Sequence, residues 1–365
     1  MRIECVKEKI RNAVNIAEKV TGKNLTLPIL NSLLFVAKEN TLRIRATNLD
    51  LGIEILIPAK VEEEGVAAIP GNVLNNLLSN IYDKTVSLEL KNNNLLVTTK
   101  NVRTIIKSFP YEDFPTLPLI KNKSPFAIDA YKFVTGLKSV SYSASLSDIK
   151  PEISSVYMYG DADNLTLVAT DSFRLAEKKI ILSQGEQFSP VLVPLKNISE
   201  ITRILDGVAG TVEIHFDKNQ ISFVTEDMYI TSRIVDGVFP DYQQIIPKEF
   251  KADATVLKED MLNALKISNV FSDKLNQVDF LIDPKAKKFT VHSQNADVGE
   301  HTAHIDGALS GEKLSLSFNQ RYLIDCFSSL PKDSMVFQFS GEAKPLVIRG
   351  VGDKSFMYLV MPLNK

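Results

Sequence analysis

Apolar and polar residues alternate along most of this chain, and six stretches with apolar residues three and four apart interrupt the alternation. Alternation with period two marks half-buried strands, and the wider spacing marks amphipathic helices. The helical stretches lie at 7–19, 71–82, 129–141, 196–205, 258–268 and 319–328. Ile10, Ala13, Val14 and Ala17 show the spacing in the first; Val73, Leu74, Leu77, Leu78 and Ile81 do so in the second, and Tyr322, Leu323, Cys326, Phe327 and Leu330 in the last. Each helix offers one apolar stripe to a core.

The pattern repeats. A strand ending in a small polar cluster occurs at Leu42-Arg43-Ile44-Arg45-Ala46-Thr47-Asn48, at Leu165-Thr166-Leu167-Val168-Ala169-Thr170-Asp171 and at Phe289-Thr290-Val291-His292-Ser293-Gln294-Asn295, with starts 123 and 124 residues apart. A short strand runs into a helix at Ala68-Ile69-Pro70, Leu192-Val193-Pro194 and Leu316-Ser317-Phe318, each step being 124 residues. Proline suits the first helical position, where its missing N–H would be unpaired anyway, so Pro70 and Pro194 are expected there. A third landmark, Phe114-Pro115, Phe239-Pro240 and Met361-Pro362, closes each copy. The period far exceeds the roughly 20–50 residues of a solenoid repeat, so each copy is expected to be a domain. The expected domains are 1–122, 123–248 and 249–365, each α+β with two helices packed on one face of antiparallel sheet.

Composition agrees with three folded domains: of 365 residues 44% are hydrophobic and 24% charged, with no long polar tract. No apolar run suits a signal peptide or a membrane span, so a cytoplasmic location is expected. Cys5 and Cys326 are too few for a disulfide framework and read as small buried apolar residues. The net charge of −2 lacks the crude signature of a basic nucleic-acid binder, but charge is unevenly spread. The six helical stretches hold eleven Lys or Arg against seven Asp or Glu, a net +4, which leaves −6 for the rest. The first helix is richest, with Lys7, Lys9, Arg11 and Lys19. Helices gathered on one side would present a mildly basic face suited to phosphates without reading bases.

The sequence holds no GxSxG, HExxH, Walker A or glycine-rich phosphate loop. His301 and His304 sit three apart on an expected strand and so point to opposite faces, which argues against a metal site. Asp171-Ser172-Phe173-Arg174 reads as a turn, since no histidine adjoins it in any copy. No catalytic residue, metal or cofactor is expected.

Five segments carry a resemblance: Thr26-Leu27-Pro28-Ile29-Leu30, Asp113-Phe114-Pro115, the run from Val168 to Ala176, the run from Asp236 to Tyr242, and Val360-Met361-Pro362-Leu363. In this order and spacing the chain resembles, over its full length, the sliding clamp or beta subunit of the bacterial replicative DNA polymerase, DNA polymerase III. The resemblance implies a non-catalytic processivity factor. It also implies a head-to-tail homodimer closed into a six-domain ring around duplex DNA, without sequence specificity, helices inside and sheets outside. By the same resemblance Ile106, Val270 and Phe271 lie at the dimer joint. A pocket for a short peptide motif, typically a glutamine with a Leu-Phe type ending, is formed by Ile153, Thr170, Ser172, Phe173, Arg174, Leu175, Pro240, Gln244, Ile245, Pro345, Leu359, Met361, Pro362 and Leu363. Its implied occupants are the replicative polymerase's catalytic subunit, the clamp loader, and other DNA polymerases or repair proteins. Lys23 and Lys150 stand where the resemblance implies contact with DNA, and Lys196 and Arg321, which begin their helices at matching places in the repeat, are the other candidates for phosphate contact. The chain departs from the family in having Ser172-Phe173 where glycine and a small or imidazole residue are usual, which implies a bulkier rim. It also has Lys150-Pro151-Glu152-Ile153 where a Tyr-Tyr pair occurs. Two other readings stay open on the residues alone: an enzyme with a site between domains, and a scaffold that never encircles DNA.

Overall fold

A computed structural model of the chain describes residues 1–22, 27–120, 126–161, 163–182 and 188–363. Among the described residues six α-helices form where the three-to-four spacing places them: α1 (Lys7–Glu18), α2 (Gly71–Ser79), α3 (Ala130–Ser141), α4 (Leu195–Leu205), α5 (Lys258–Ser268) and α6 (Gln320–Asp325), the last continued by a 3₁₀ turn at Cys326–Ser329. None of them is long and apolar enough to cross a membrane. The buried stripe of α1 is Ile10, Ala13, Val14 and Ala17, joined by Lys7. Lys7 is therefore no part of a basic outer face; its ammonium donates to Glu8 at 2.6 Å. The prolines also fall one place earlier than expected. Pro70, with φ −54° and ψ 112°, is the residue before α2, and Pro194 ends the strand before α4. At α6 the same place is held by Asn319, whose side-chain oxygen accepts from the N–H groups of Arg321 and Tyr322.

The polar clusters that close the landmark strands are hydrogen-bonded turns. Thr47 Oγ1 donates to the carbonyl of Leu51 (2.9 Å), and Asn48 Oδ1 accepts from the N–H groups of Asp50 and Leu51. The second copy repeats the device: Thr170 Oγ1 donates to the carbonyl of Arg174 (2.7 Å), and Asp171 Oδ1 accepts from the N–H groups of Phe173 and Arg174, both at 3.0 Å. Such side chains stand in for backbone partners in tight turns, which is why Thr-Asn and Thr-Asp recur there. Both turns force a left-handed residue, Leu49 at φ 79° and Ser172 at φ 77°.

Two compact units emerge, Met1–Tyr131 with Ser199–Ile234, and Lys132–Ile198 with Val235–Lys365. The first holds a five-stranded sheet (Lys60–Glu63, Arg2–Val6, Thr85–Lys91, Asn94–Thr98, Arg103–Lys107) and an eight-stranded one that runs from Phe126–Asp129 to Gly65–Pro70. The second unit holds a nine-stranded sheet from Phe188–Pro194 to Gly307–Gly311, and a four-stranded sheet in the order Gly299–Ile305, Lys288–Asn295, Gln277–Asp283, Leu314–Asn319. All strand pairs among the described residues are antiparallel.

The units cut the middle repeat in two because its strands extend its neighbours' sheets. Met228–Arg233 pairs with Leu51–Pro58 of the first repeat, Ile230 opposite Ile53. Arg174–Ile181 pairs with Phe356–Val360 of the third, Ala176 opposite Tyr358. Both cysteines are free and buried, and burial pushes the Cys5 thiol up to about 12.

Candidate functional site

The second turn stands over a cavity of about 470 Å³. Thr170 ends one strand, Ser172 and Phe173 form the turn, and Arg174 and Leu175 start the next strand. Pro240 and Ile245 come from the 3₁₀ turn region around Tyr242–Ile245, Leu359 and Met361 from the chain's last strand and tail, and Ile153 and Pro345 complete the wall. Eleven of the fourteen expected pocket residues thus line one cavity. Its depth is apolar: Leu175, Tyr242 and Leu359 belong to a core cluster with Val168, Leu192, Phe239, Val347 and Met357. The Tyr157 ring stacks on Phe239 at 4.7 Å and supports it from behind.

Three expected residues lie elsewhere. Gln244, on the exposed side of the 3₁₀ turn, donates from Nε2 to Asp241 Oδ2 at 2.7 Å. Pro362 and Leu363 lie just past the cavity, because the Leu363 N–H donates to the Ser317 carbonyl (2.8 Å) and draws the tail along the strand Leu314–Asn319. Conversely, Asp241 and Tyr242 line the cavity although they were absent from the expected set. The signal for them lay in the Asp236-to-Tyr242 run, but the 3₁₀ turn hides it from strand or helix periodicity.

Two polar arrangements stiffen the walls. Arg174 donates from Nε to Asp171 Oδ2 (3.0 Å), from Nη2 to the Tyr142 carbonyl (2.7 Å) and from Nη1 to Asp325, while its guanidinium lies 4.4 Å over the Tyr322 ring. All three guanidinium nitrogens are engaged internally, so Arg174 shapes the wall. Tyr242 donates to Glu177 Oε2 at 2.6 Å and its oxygen lies 2.8 Å from that of Tyr159. Burial, then the bond to Glu177, pushes the Tyr242 hydroxyl pKa upward, so it stays a donor. At the rim, Phe173 is 62% exposed. Its carbonyl accepts from the Met361 N–H (2.8 Å), tying the turn to the tail.

The remaining expected residues divide between strand edges and exposed helix starts. Ile106 lies on Arg103–Lys107, the last strand of the five-stranded sheet, but is only 4% exposed; its neighbour Ile105 is 65% exposed. Val270, 64% exposed, and Phe271 form a turn beside Gly299–Ile305, the last strand of the four-stranded sheet, where the Phe271 ring stacks on His301 at 5.9 Å. His304 faces the other way and lies 3.3 Å from Thr290 Oγ1 through Nδ1. Among the described residues no group of three or more His, Cys, Asp or Glu is placed to hold a metal. Lys150 is exposed on a loop whose turn is closed by the Ile153 and Ser154 N–H groups, both 3.1 Å from its carbonyl. Lys196 and Arg321 are exposed in the first turns of α4 and α6, and Lys23 lies outside the described residues.

These two edge strands, Arg103–Lys107 and Gly299–Ile305, stand in a definite relation to the internal joints. Leu51–Pro58, Arg174–Ile181 and Gly299–Ile305 each follow the landmark strand of their copy, and Arg103–Lys107, Met228–Arg233 and Phe356–Val360 each close one. Each internal joint pairs the former kind in one copy with the latter kind in the next. Gly299–Ile305 and Arg103–Lys107 are left over, one of each kind, both ending their sheets.

Known proteins carry the same design. Models of the DNA polymerase III beta subunit match its N-terminal domain at residues 1–118, its central domain at 127–241 and its C-terminal domain at 243–364. The beta sliding clamp of Synechococcus elongatus is 26% identical over 375 residues, covering 100% of this chain and 99% of the relative; that of Bacillus subtilis is 24% identical with full coverage of both. Among solved structures, the Bacillus subtilis DNA polymerase sliding clamp has a TM-score of 0.96 at 23% identity, covering 100% of this chain and 99% of the other. A Pseudomonas aeruginosa sliding clamp bound to griselimycin has a TM-score of 0.95 at 22% identity, with full coverage of both chains.

Proposed function

The chain belongs to the family of the DNA polymerase III beta subunit, and on that premise we propose that two copies close head to tail into a ring around duplex DNA. The ring is a processivity factor with no catalytic step of its own; it tethers the polymerase and other DNA-processing partners. The observation that carries this reading is the pair of leftover edges. A second copy pairs Arg103–Lys107 with Gly299–Ile305 by the rule that both internal joints follow, and the same pairing repeats at the other end. Closure also removes exposed edges that would otherwise recruit unrelated strands.

Within that ring, Ile106 packs inward and holds the edge strand in place while its exposed neighbour Ile105 faces the joint, and Val270 and Phe271 flank the opposing edge. The domains are the three repeats, 1–122, 123–248 and 249–365, and the site of action is the cytoplasm. Lys23, Lys150, Lys196 and Arg321 meet phosphates, which position a protein on DNA without reading sequence. Weak contacts suit a ring that holds DNA by topology. The cavity beneath Phe173 receives the partners' peptide, two apolar side chains entering its apolar depth.

The test is retention. Loaded onto nicked circular DNA, the protein should stay bound through gel filtration, and cutting the circle once should release it within minutes. Equal loss from circular and linear DNA would overturn the ring.

A further inference from the structure

Past Met361 the chain's tail borders two further cavities, and they are unlike the first. Pro362 and Leu363 line one of about 200 Å³ with Ser315, Ser317 and Glu342. Leu363 also lines one of about 460 Å³ on the four-stranded sheet, with Asp279, Leu281, His292 and Thr302 among its walls. Met361 itself lines the peptide cavity, so three consecutive residues border all three spaces. An extended chain advances about 3.3 Å per residue, so the far cavity begins within about 7 Å of Met361 along the tail.

The far cavity is built on one row across the sheet. Thr302 lies opposite His292, His292 opposite Asp279, and Asp279 opposite Ser317. His292 Nδ1 is 3.0 Å from Thr302 Oγ1, while Asp279 Oδ1 accepts from Ser317 Oγ (2.6 Å) and Gln277 Nε2 (3.0 Å). These bonds fix the carboxylate and leave Oδ2 with no donor among the described residues. Asp279 and Glu342 are the charged linings of the two cavities, and no Lys or Arg joins them. Leu281 and Leu363 supply apolar walls beside the acid. A long basic side chain fits this combination, its methylenes lying on leucine and its charge meeting Asp279.

We propose that the partner groove continues over the tail, and that the Asp279 cavity binds a Lys or Arg of the partner peptide, about two to four residues from the side chain seated beside Met361. The inference rests on the peptide-pocket reading above. A basic residue there would add affinity that the apolar anchors alone do not supply, and would rank partners that share the same core motif.

The experiment is fluorescence anisotropy with labelled peptides carrying a Gln and a Leu-Phe ending, with Arg or Ala placed at each of the flanking positions in turn. Against the wild-type chain, one Arg position should bind about two- to fivefold tighter than its Ala counterpart, the gain expected of a partly exposed ion pair, and less so as salt rises. In Asp279→Asn, which keeps the Oδ1 acceptor, that gain should vanish while the Ala peptides bind as before. In Met361→Ala, all peptides should weaken together. A gain that survives Asp279→Asn, or no gain at any position, would overturn the extension and leave the pocket standing. Failure of every peptide to bind the wild-type chain would overturn the pocket and the extension with it.

Discussion

The ring predicts that Ile105→Pro breaks the dimer and spares the fold. The Thr99 N–H donates to the Val102 carbonyl (2.8 Å) and the Ser108 N–H to the Asn93 carbonyl. Backbone groups alternate in an antiparallel ladder, so the N–H groups of Thr104 and Ile106 run into the sheet and that of Ile105 points to the free edge. Proline is tolerated on an edge strand where its N–H would face outward, so the monomer should keep its fold. At the joint the substitution removes one hydrogen bond, net about 1 kcal/mol, and strands a facing carbonyl for about 1–2 kcal/mol more. Each ring has two joints, giving about 4–6 kcal/mol and a dissociation constant raised roughly a thousandfold or more. Sedimentation across a concentration series reads the constant, with circular dichroism and melting as checks on the monomer. Ile106→Ala is the contrast: its inward side chain should cost about 2–5 kcal/mol of folding stability while leaving the edge N–H groups in place. An Ile105→Pro protein that folds and dimerises within threefold of the wild type would refute the edge-pairing argument.

Two further substitutions test the pocket's construction. Ser172 sits at φ 77°, where a side chain costs about 1 kcal/mol, so Ser172→Gly should raise the melting temperature by a few degrees; a lower one would show that the Ser172 side chain matters more than the strain. Arg174→Lys cannot reproduce three directed donors to Asp171, Tyr142 and Asp325, so it should cost about 2–3 kcal/mol of stability and weaken core-peptide binding roughly tenfold by loosening the wall, as anisotropy and melting would read; a lysine variant equal to wild type in both would refute that role.

The elements were legible because their periods are strong: the starts of the six helices and the three turns stand within a residue or two of where spacing puts them. The grouping of the cavity's lining residues was legible only through resemblance, since Leu175, Leu359 and Ile153 singly look like core, and in part they are, each under 9% exposed. Pro362, Leu363 and Gln244 fall outside that cavity for local reasons, a hydrogen bond to Ser317 and one turn of 3₁₀ helix. Lys7 misled because composition counts a charge wherever it lies, and only packing reveals that it is buried. The splitting of the middle repeat between two units was beyond reach, because strand pairing across copies leaves no mark in the spacing of either strand.

One comparison within the chain bears on why the proposed peptide site falls at the second internal joint and not at the first. The first turn also stands over a cavity, of about 330 Å³, lined by Thr47, Leu49, Asp50, Gly52, Pro115, Leu117, Thr231 and Arg233 among others. The places correspond: Thr47 to Thr170, Leu49 to Ser172, Pro115 to Pro240, and Thr231, opposite Gly52, to Leu359, opposite Leu175. What differs is the filling. Where Leu175 walls the second cavity the first has Gly52, and a Cβ there would come within 2.5 Å of Leu117 Cδ2, so Leu117 of the same chain occupies that space. Threonine and arginine replace the leucine and methionine that deepen the second cavity, so the first offers no comparable apolar seat for a foreign side chain. The fold thus makes a pocket at each internal joint, and the choice between self-filling and vacancy is made by a few side chains. Opening the first site would require removing Leu117 as well as restoring the apolar wall, and Leu117→Ala alone should leave a polar void that core peptides do not enter.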